Sequence, residues 1–374
     1  METINSFDHS ITTHELLVRS AEAALDIQRD DGSFPAPQYG ADEESPTPVR
    51  TTAQWLLTLT EAYNITAEER FYDASADAAS YLLKDDVRPS GFTFHARDAP
   101  GKDSCDGLVG QAAPIRALAR TSTVLERPEL ADIAREIVHL HPFNERLGLW
   151  ECVDIDGTTL SFDRTLNHQL IFAASIATLA DDDSEIARLL RRFLTMLPST
   201  MRLHDDGLIK HYIRPNPTDA LRTVVRSPSH WRLLLNEVVF HYYSRSAERR
   251  RTEIGYHPVN LSSLATLRRA VPNHTIWNRE VIQQALEFSQ ANSKLYLSGT
   301  ESHGGSAMPG TNIALALRVL GDKDLDDVLE FLESDIRRKY DEDSGLLTTT
   351  DSDSTFQAAA VFLLSHFPNI TIQL

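Results

Sequence analysis

Seven short segments of this sequence centre on a glycine, most often beside an aromatic or aliphatic residue. They are DGSF at Gly32, SGFTF at Gly91, LGLW at Gly148, DGLIKHY at Gly207, IGYHP at Gly255, SGTES at Gly299 and SGLLT at Gly345. Successive glycines lie 44 to 59 residues apart, room for two helices and two loops. A period in this range, with one helix pair per unit, marks a repeat of αα-hairpins. Between the glycines the apolar spacing is helical: Leu16, Leu17, Ala21, Ala24, Leu25 and Ile27 predict a helix over His14–Arg29. Further helices are expected over Thr52–Tyr63 and Glu68–Leu83.

About six such pairs bury their apolar faces either in an open solenoid or in a closed ring. A solenoid unit packs on a copy of itself and keeps its self-similarity. These units resemble one another only at the glycine turn, and their lengths vary. The expectation is an all-α chain, an (α/α)6-type toroid of helical hairpins with short β-hairpins in the loops at one end. With no long polar linker in 374 residues, it is read as one domain, 1–374. Inner helices would line a central cavity, and polar residues near their starts would share a cleft.

The most chemically mixed stretch is GLWECVDIDGTTLSFDRTLNHQLIFAA, Gly148–Ala174. LWECVDIDG alternates and closes on Asp156–Gly157, predicting a strand and a hairpin turn, with TLSF as the return strand. Asp163 falls where a helix over Arg164–Ala180 should begin. It reads equally as an N-cap carboxylate and as a carboxylate at the mouth of a cleft, beside Arg164, Asn167, His168 and Gln169.

Comparable clusters recur near other expected helix starts: Arg50, Gln54 and Trp55; Asp103, Asp106 and Gln111; Lys210, His211 and Tyr212; Tyr256, His257 and Asn260; Glu301 and His303. With Trp150, they offer carboxylates, imidazoles, phenols, guanidinium groups and indoles to one cavity. That set suits a carbohydrate: indole faces stack on sugar C–H faces and Arg pairs with a uronate carboxylate. Each residue also has an ordinary reading. Trp55 on a helix suits the core, Arg50 could pair with the acidic run DEES, and a single His211 or His257 suits a structural hydrogen bond.

Composition narrows the classes. A net charge of −18 argues against a nucleic-acid surface. Only six of the 36 basic residues are Lys, and low Lys with excess acid suits a halophilic source. The polar start METINSFDHSITTHE does not read as a signal peptide, and no apolar run is long enough to span a bilayer. Cys105 and Cys152 form no disulfide framework or CxxC pair. A cytoplasmic protein is expected. No metal motif, GxGxxG, P-loop or GxSxG elbow is present, so neither metal nor cofactor is expected and acid/base chemistry by Asp, His and Tyr remains.

The segments PVRTTAQWLLTLTEAY, CDGLVGQAAPIRAL, GLWECVDIDGTTLSFDRTLNHQLIFAA, DGLIKHY and GYHPVNLSSLATL resemble the AglQ proteins of haloarchaeal N-glycosylation clusters, over about Ala21 to Phe362. Asp106, Gln111, Asp163, Arg164, Asn167, His168 and Gln169 match that family, whereas Thr51, Gln54, Ala113 and Arg116 depart from it. That family is distantly similar to α/α-toroid glycoside hydrolases, sugar 2-epimerases and the toroid domain of glucuronyl C5-epimerases. The resemblance implies a role in building or editing a lipid-linked, uronate-rich glycan, with an oligosaccharide or lipid-linked glycan as partner.

Three functions stay open on these residues. An isomerase inverting a hexuronic acid at C5 needs a cation for the enolate and two proton-transfer groups. Arg50 or Arg164 would hold the carboxylate, with the pair drawn from Tyr256, His168, His211 and His257. A glycoside hydrolase would use Asp106 and Asp163. A non-catalytic glycan-binding component is the third reading, supported by the departures from the family.

Overall fold

The computed structural model describes residues 10–36, 45–226, 228–231, 234, 246–298, 307–348 and 359–374. Six inner helices form a closed ring: Val49–Thr66, Gly107–Val124, Leu166–Ile176, Ala247–Ala270, Pro309–Leu320 and the 3-10 helix Ala359–His366. Each packs on the next, and the last packs back on the first. Around them lie the outer helices Thr13–Ile27, Glu69–Leu82, Pro128–Leu140, Ser184–Thr200, Glu280–Ala291 and Leu329–Lys339. The two ends of the chain seal the ring. Strand Ser10–Thr12 pairs antiparallel with Thr371–Gln373, and Ser20 Oγ donates to the Gly345 carbonyl (2.7 Å).

The two rings differ in sequence because they differ in burial. The outer helix Ser184–Thr200 is one-sided: Ile186, Leu189, Leu190, Phe193, Leu194 and Leu197 are buried at helical spacing, and Asp183 caps it by accepting from the N–H groups of Glu185 and Ile186. The inner helix Gly107–Val124 has neighbours on most sides, so Leu108, Gly110, Gln111, Ala112, Ile115, Ala117 and Leu118 are all buried. Each large apolar side chain so enclosed contributes about 1.5–3 kcal/mol.

The glycine repeat has a mechanical meaning. Gly32, Gly91, Gly148, Gly207 and Gly345 all have positive φ. At Gly207 an added Cβ would lie 2.2 Å from the Gln284 carbonyl oxygen of an outer helix, so the turn needs glycine both for its φ of +93° and for its contact. Two or three residues after each of the first four, the chain is clamped to an inner helix. The N–H of Phe34 donates to Thr52 Oγ1 (2.9 Å), that of Phe94 to Gln111 Oε1 (2.8 Å), that of Trp150 to Gln169 Oε1 (3.1 Å) and that of Ile209 to His257 Nδ1 (3.3 Å). Four of the six inner helices thereby pin the loop that precedes them.

Three expectations need correction. Gly255 is not a turn but lies inside Ala247–Ala270, a helix that runs through Pro258. Asp163 is not an N-cap: the helix begins at Leu166 after Thr165, and Asp163 instead accepts from the Thr165 N–H (3.1 Å). That helix ends at Ile176 and tightens into a 3-10 turn, Ala177–Leu179. The hairpin is as expected, with strands Leu149–Val153 and Thr159–Phe162. Gly299, Glu301 and His303 lie outside the described residues.

Candidate active site

The first wall of the cleft comes from the loop before helix Gly107–Val124. Asp103 takes the capping role there, its Oδ1 accepting from the Gly107 N–H (2.9 Å) and the Cys105 thiol (3.3 Å). Asp154 holds the loop from the hairpin side, accepting from the N–H groups of Ser104 and Cys105 (3.0 and 3.1 Å). Asp106 is thus released from capping and adopts a left-handed conformation, φ 53°, a strain of roughly 1–3 kcal/mol of the kind found at functional sites. Its Oδ1 meets Arg97 Nη1 at 2.7 Å and its Oδ2 meets Arg50 Nη1 at 3.3 Å.

Opposite stands a second carboxylate with a different partner. Asp163 Oδ2 lies 2.8 Å from His168 Nδ1; the Asp163 side chain is 9% exposed and that of His168 26%. The acid sits behind the imidazole. Helix Gly107–Val124 can come this close because residue 107 is glycine, where a Cβ would lie 2.7 Å from Asp163 Oδ2. Burial pushes the Asp163 pKa up, but the charge and hydrogen bond of His168, aided by Thr165, outweigh it and take the pKa down to about 2. Burial likewise works against the His168 cation, yet the bonded Asp163 and the more distant Asp106 carry its pKa above the ordinary value.

The third wall is the segment around His211. The N–H of Leu166 donates to the His211 carbonyl (2.8 Å) and that of Ile213 to the Arg164 carbonyl (3.0 Å), which stitches His211 beside the start of the His168 helix. The His211 ring faces Tyr256 with centroids 5.4 Å apart and meets Tyr212 edge-on at 5.0 Å. Its backbone N–H donates to Glu253 Oε1 (3.0 Å), whose other oxygen meets His204 Nε2 at 2.8 Å. Arg249 lies over the Tyr212 ring at 4.7 Å and donates to its hydroxyl (3.2 Å). Burial, then the charges of Arg249 and His168, hold the His211 pKa down to about 3. Burial raises the Tyr256 pKa, and the charges of Arg50 and Asp106 also reach it.

Arg50, Asp106, Asp163, His168, His211 and Tyr256 therefore come together. Five of the other expected residues, His257, Trp55, Trp150, Gln111 and Gln169, are spent on the core or on backbone. His257 is fully buried and spends both ring nitrogens on backbone, accepting from Ile209 N–H and donating from Nε2 to the Ala285 carbonyl (3.0 Å). Trp55 is buried against Phe34, and Trp150 among Phe143, Phe172 and Phe193. Gln111 donates to the carbonyls of Phe94 and Cys105, and Gln169 to those of Trp150 and Asp163. These are loop clamps. Asn167 is buried with no partner for its Oδ1, and Arg164 is partly buried.

Sequence reading passed over Arg97, Glu253 and Arg249. Glu253 lies three residues before Tyr256 on one helix face, a signal hidden by taking Gly255 as a turn. Nothing local marks Arg97, which reaches Asp106 from a strand of two residues, Arg97–Asp98. Among the described residues no three His, Cys, Asp or Glu side chains are grouped to hold a metal ion, and no helix is long and apolar enough to cross a membrane.

Archaeal glycosylation protein Q of Haloferax volcanii is 36% identical over 368 residues, covering 96% of this chain and 98% of the relative. A sugar epimerase from a ruminal bacterium shares the fold with a TM-score of 0.64 and 10% identity, over 96% of this chain and all of the other. Cellobiose 2-epimerase from Bacillus thermoamylovorans follows at 0.63 and 12%, over 94% and 98%. The GH76A α-1,6-mannanase of Salegentibacter gives 0.54 and 12%, over 95% and 98%. No protein-family model matches the chain.

Proposed function

The chain belongs to the family of archaeal glycosylation protein Q, and on that premise we propose that it is a sugar isomerase of glycan assembly. In this reading it inverts C5 of a hexuronic acid residue in a lipid-linked oligosaccharide, by removing and returning the C5 proton. We place it in the cytoplasm, since two free, buried cysteines suit a reducing compartment.

The observation that carries the reading is a pair of imidazoles in one cleft with opposite surroundings: His168 is bonded to the Asp163 carboxylate, which favours its cation, whereas His211 is enclosed by Tyr212 and Tyr256 near the charge of Arg249, which favours its neutral form. Titratable neighbours driven apart in this way mark an acid and a base. His168, held by Asp163 through Nδ1, presents its far nitrogen to the cleft as the proton donor. His211, kept neutral by burial and standing beside Tyr256, is the group assigned to accept the C5 proton. Arg50, one guanidinium nitrogen on Asp106, is placed to hold a substrate carboxylate, which makes the C5 proton acidic enough to remove and stabilises the enolate. Tyr256 stays protonated and orients the sugar.

The hydrolase reading asks Asp106 and Asp163 to act as acid and base. Asp163 is held below the usual carboxylate range and committed to His168, and Asp106 is committed to Arg97 and Arg50. Asp163 is therefore not ready to donate a proton to a leaving oxygen, and Asp106 is engaged by two guanidiniums, so the two-carboxylate reading is the weaker. The test is to incubate the purified protein in high salt with a uronate-containing lipid-linked oligosaccharide and assign ring configuration by proton NMR. Inversion at C5 with chain length kept supports the isomerase; chain shortening would make it a hydrolase; unchanged substrate across uronate glycans would favour binding alone.

A further inference from the structure

We propose that the end of the toroid opposite the cleft carries an anion site for a phosphate group, formed by Arg116, Arg120, Arg269 and Arg318 around His366. All five lie in the later turns of inner helices: Arg116 and Arg120 on Gly107–Val124, Arg269 on Ala247–Ala270, Arg318 on Pro309–Leu320 and His366 at the end of Ala359–His366. Arg116 and Arg120 are ten and fourteen residues along their helix from Asp106, about 15 and about 20 Å at the α-helical rise. The cluster is therefore separate from the cleft, and its assignment does not depend on the isomerase reading.

The charges do not balance. Arg120 pairs with Glu61 at 2.5 Å, but no carboxylate among the described residues pairs with Arg116, Arg269 or Arg318. Arg116 donates from Nε and Nη2 to Ser175 Oγ (3.2 and 3.0 Å), a neutral partner. Burial alone takes its pKa down to about 10, the mark of an enclosed charge without a counter-ion. Arg269 donates from Nη1 to His366 Nδ1 (3.3 Å) and from Nη2 to the His366 carbonyl (3.4 Å). A guanidinium only donates, so His366 accepts at Nδ1 and carries its proton on Nε2. Burial, then Arg269, Arg120 and Arg116, hold the His366 pKa down to about 3. Arg269 in turn is lowered by burial and by Arg318.

Helix C-termini account for part of this. Arg269 and Arg318 stand in last turns, where the macrodipole is negative, but that field fades within a turn. Arg116 sits two turns before Val124 and is outside it. Among the described residues these four guanidiniums and one neutral N–H donor have one carboxylate partner, Glu61 on Arg120, and in a chain of net charge −18 they form a donor set for a tetrahedral oxyanion, which several forks can share.

The test is calorimetric titration of inorganic phosphate into the full-length protein, beside Arg116→Met and Arg269→Gln. Expected is saturable binding of one phosphate per chain, weakened at least tenfold in each variant, with the His366 pKa raised by bound phosphate in an NMR titration. Glucose 1-phosphate and geranyl phosphate carry the same group on a sugar and on a lipid. Tighter binding of either supports the site and names the source. The proposal is overturned if wild type shows no saturable phosphate binding, if both variants bind as wild type does, if chloride displaces phosphate at equal concentration, or if only His168→Asn removes binding.

Discussion

Asp163 Oδ2 lies 2.8 Å from His168 Nδ1, with the acid 9% exposed and the imidazole 26%. The carboxylate fixes which nitrogen is turned inward and leaves the other to the cleft. Asp163→Asn keeps the shape and removes the charge. It should lower kcat about a hundredfold or more, the usual size of one acid/base contribution, with KM nearly unchanged. Steady-state kinetics on the C5 inversion check it, and an Asn variant with full kcat would remove the dyad from the mechanism.

The same pair sets a pH window for stability. Asp163 is depressed in the fold, so its contribution is present above the unfolded value and is lost as pH falls from 3.8 toward about 2. His168 is raised, so its contribution is complete below 6.5 and is lost as pH rises through the folded value. Between those limits the pair stabilises most. His141, His257 and His366 have the opposite sign: burial lowers each, and stability falls as pH drops below 6.5 and the unfolded chain takes up protons. The difference between wild-type and Asp163→Asn melting temperatures, measured against pH, should therefore peak at mildly acid pH and shrink in alkaline buffer.

His211 and His257 separate chemistry from packing. His257→Gln leaves Ile209 and Ala285 without their partner and should cost about 1–3 kcal/mol, while the folded fraction keeps its kcat. His211→Asn should leave chemical denaturation nearly unchanged and reduce kcat strongly. The reverse pattern would place the base on the wrong histidine.

Two glycines give a similar contrast. Gly207→Ala meets the Gln284 carbonyl and forbids the turn, so it should lower stability without a specific effect on catalysis in the folded fraction. Gly107→Ala meets Asp163 Oδ2 instead. It should depress kcat beyond its effect on the melting temperature, because it moves the group that holds His168.

Much of the ring was legible because its rule is local. A glycine of positive φ, then a residue whose N–H is clamped by the next inner helix, repeats with a period that sequence displays. The rule failed at Gly255, where the helix Ala247–Ala270 runs past both Gly255 and Pro258 and the turn lies upstream, near Gly207. The site was half legible. Asp163, His168, Asp106 and Arg50 stand at or beside the starts of inner helices, so topology gathers them. Gln111, Gln169 and His257 share that placement and polarity, and only partners distant in sequence, such as Phe94 for Gln111 and Ala285 for His257, show that they hold loops instead. Arg97 was invisible because its role depends on one ion pair with Asp106.

The most direct test of the central claim is solvent exchange at carbon. The uronate-containing lipid-linked oligosaccharide is incubated with the protein in deuterated water and the sugars are read by mass spectrometry. The account predicts one carbon-bound deuterium per turnover at C5 in the inverted product. With His168→Asn, deuterium should still enter the unconverted sugar, because His211 removes the proton and returns a deuteron to the same face. Inversion without deuterium at carbon, or loss of a sugar residue in its place, would contradict it.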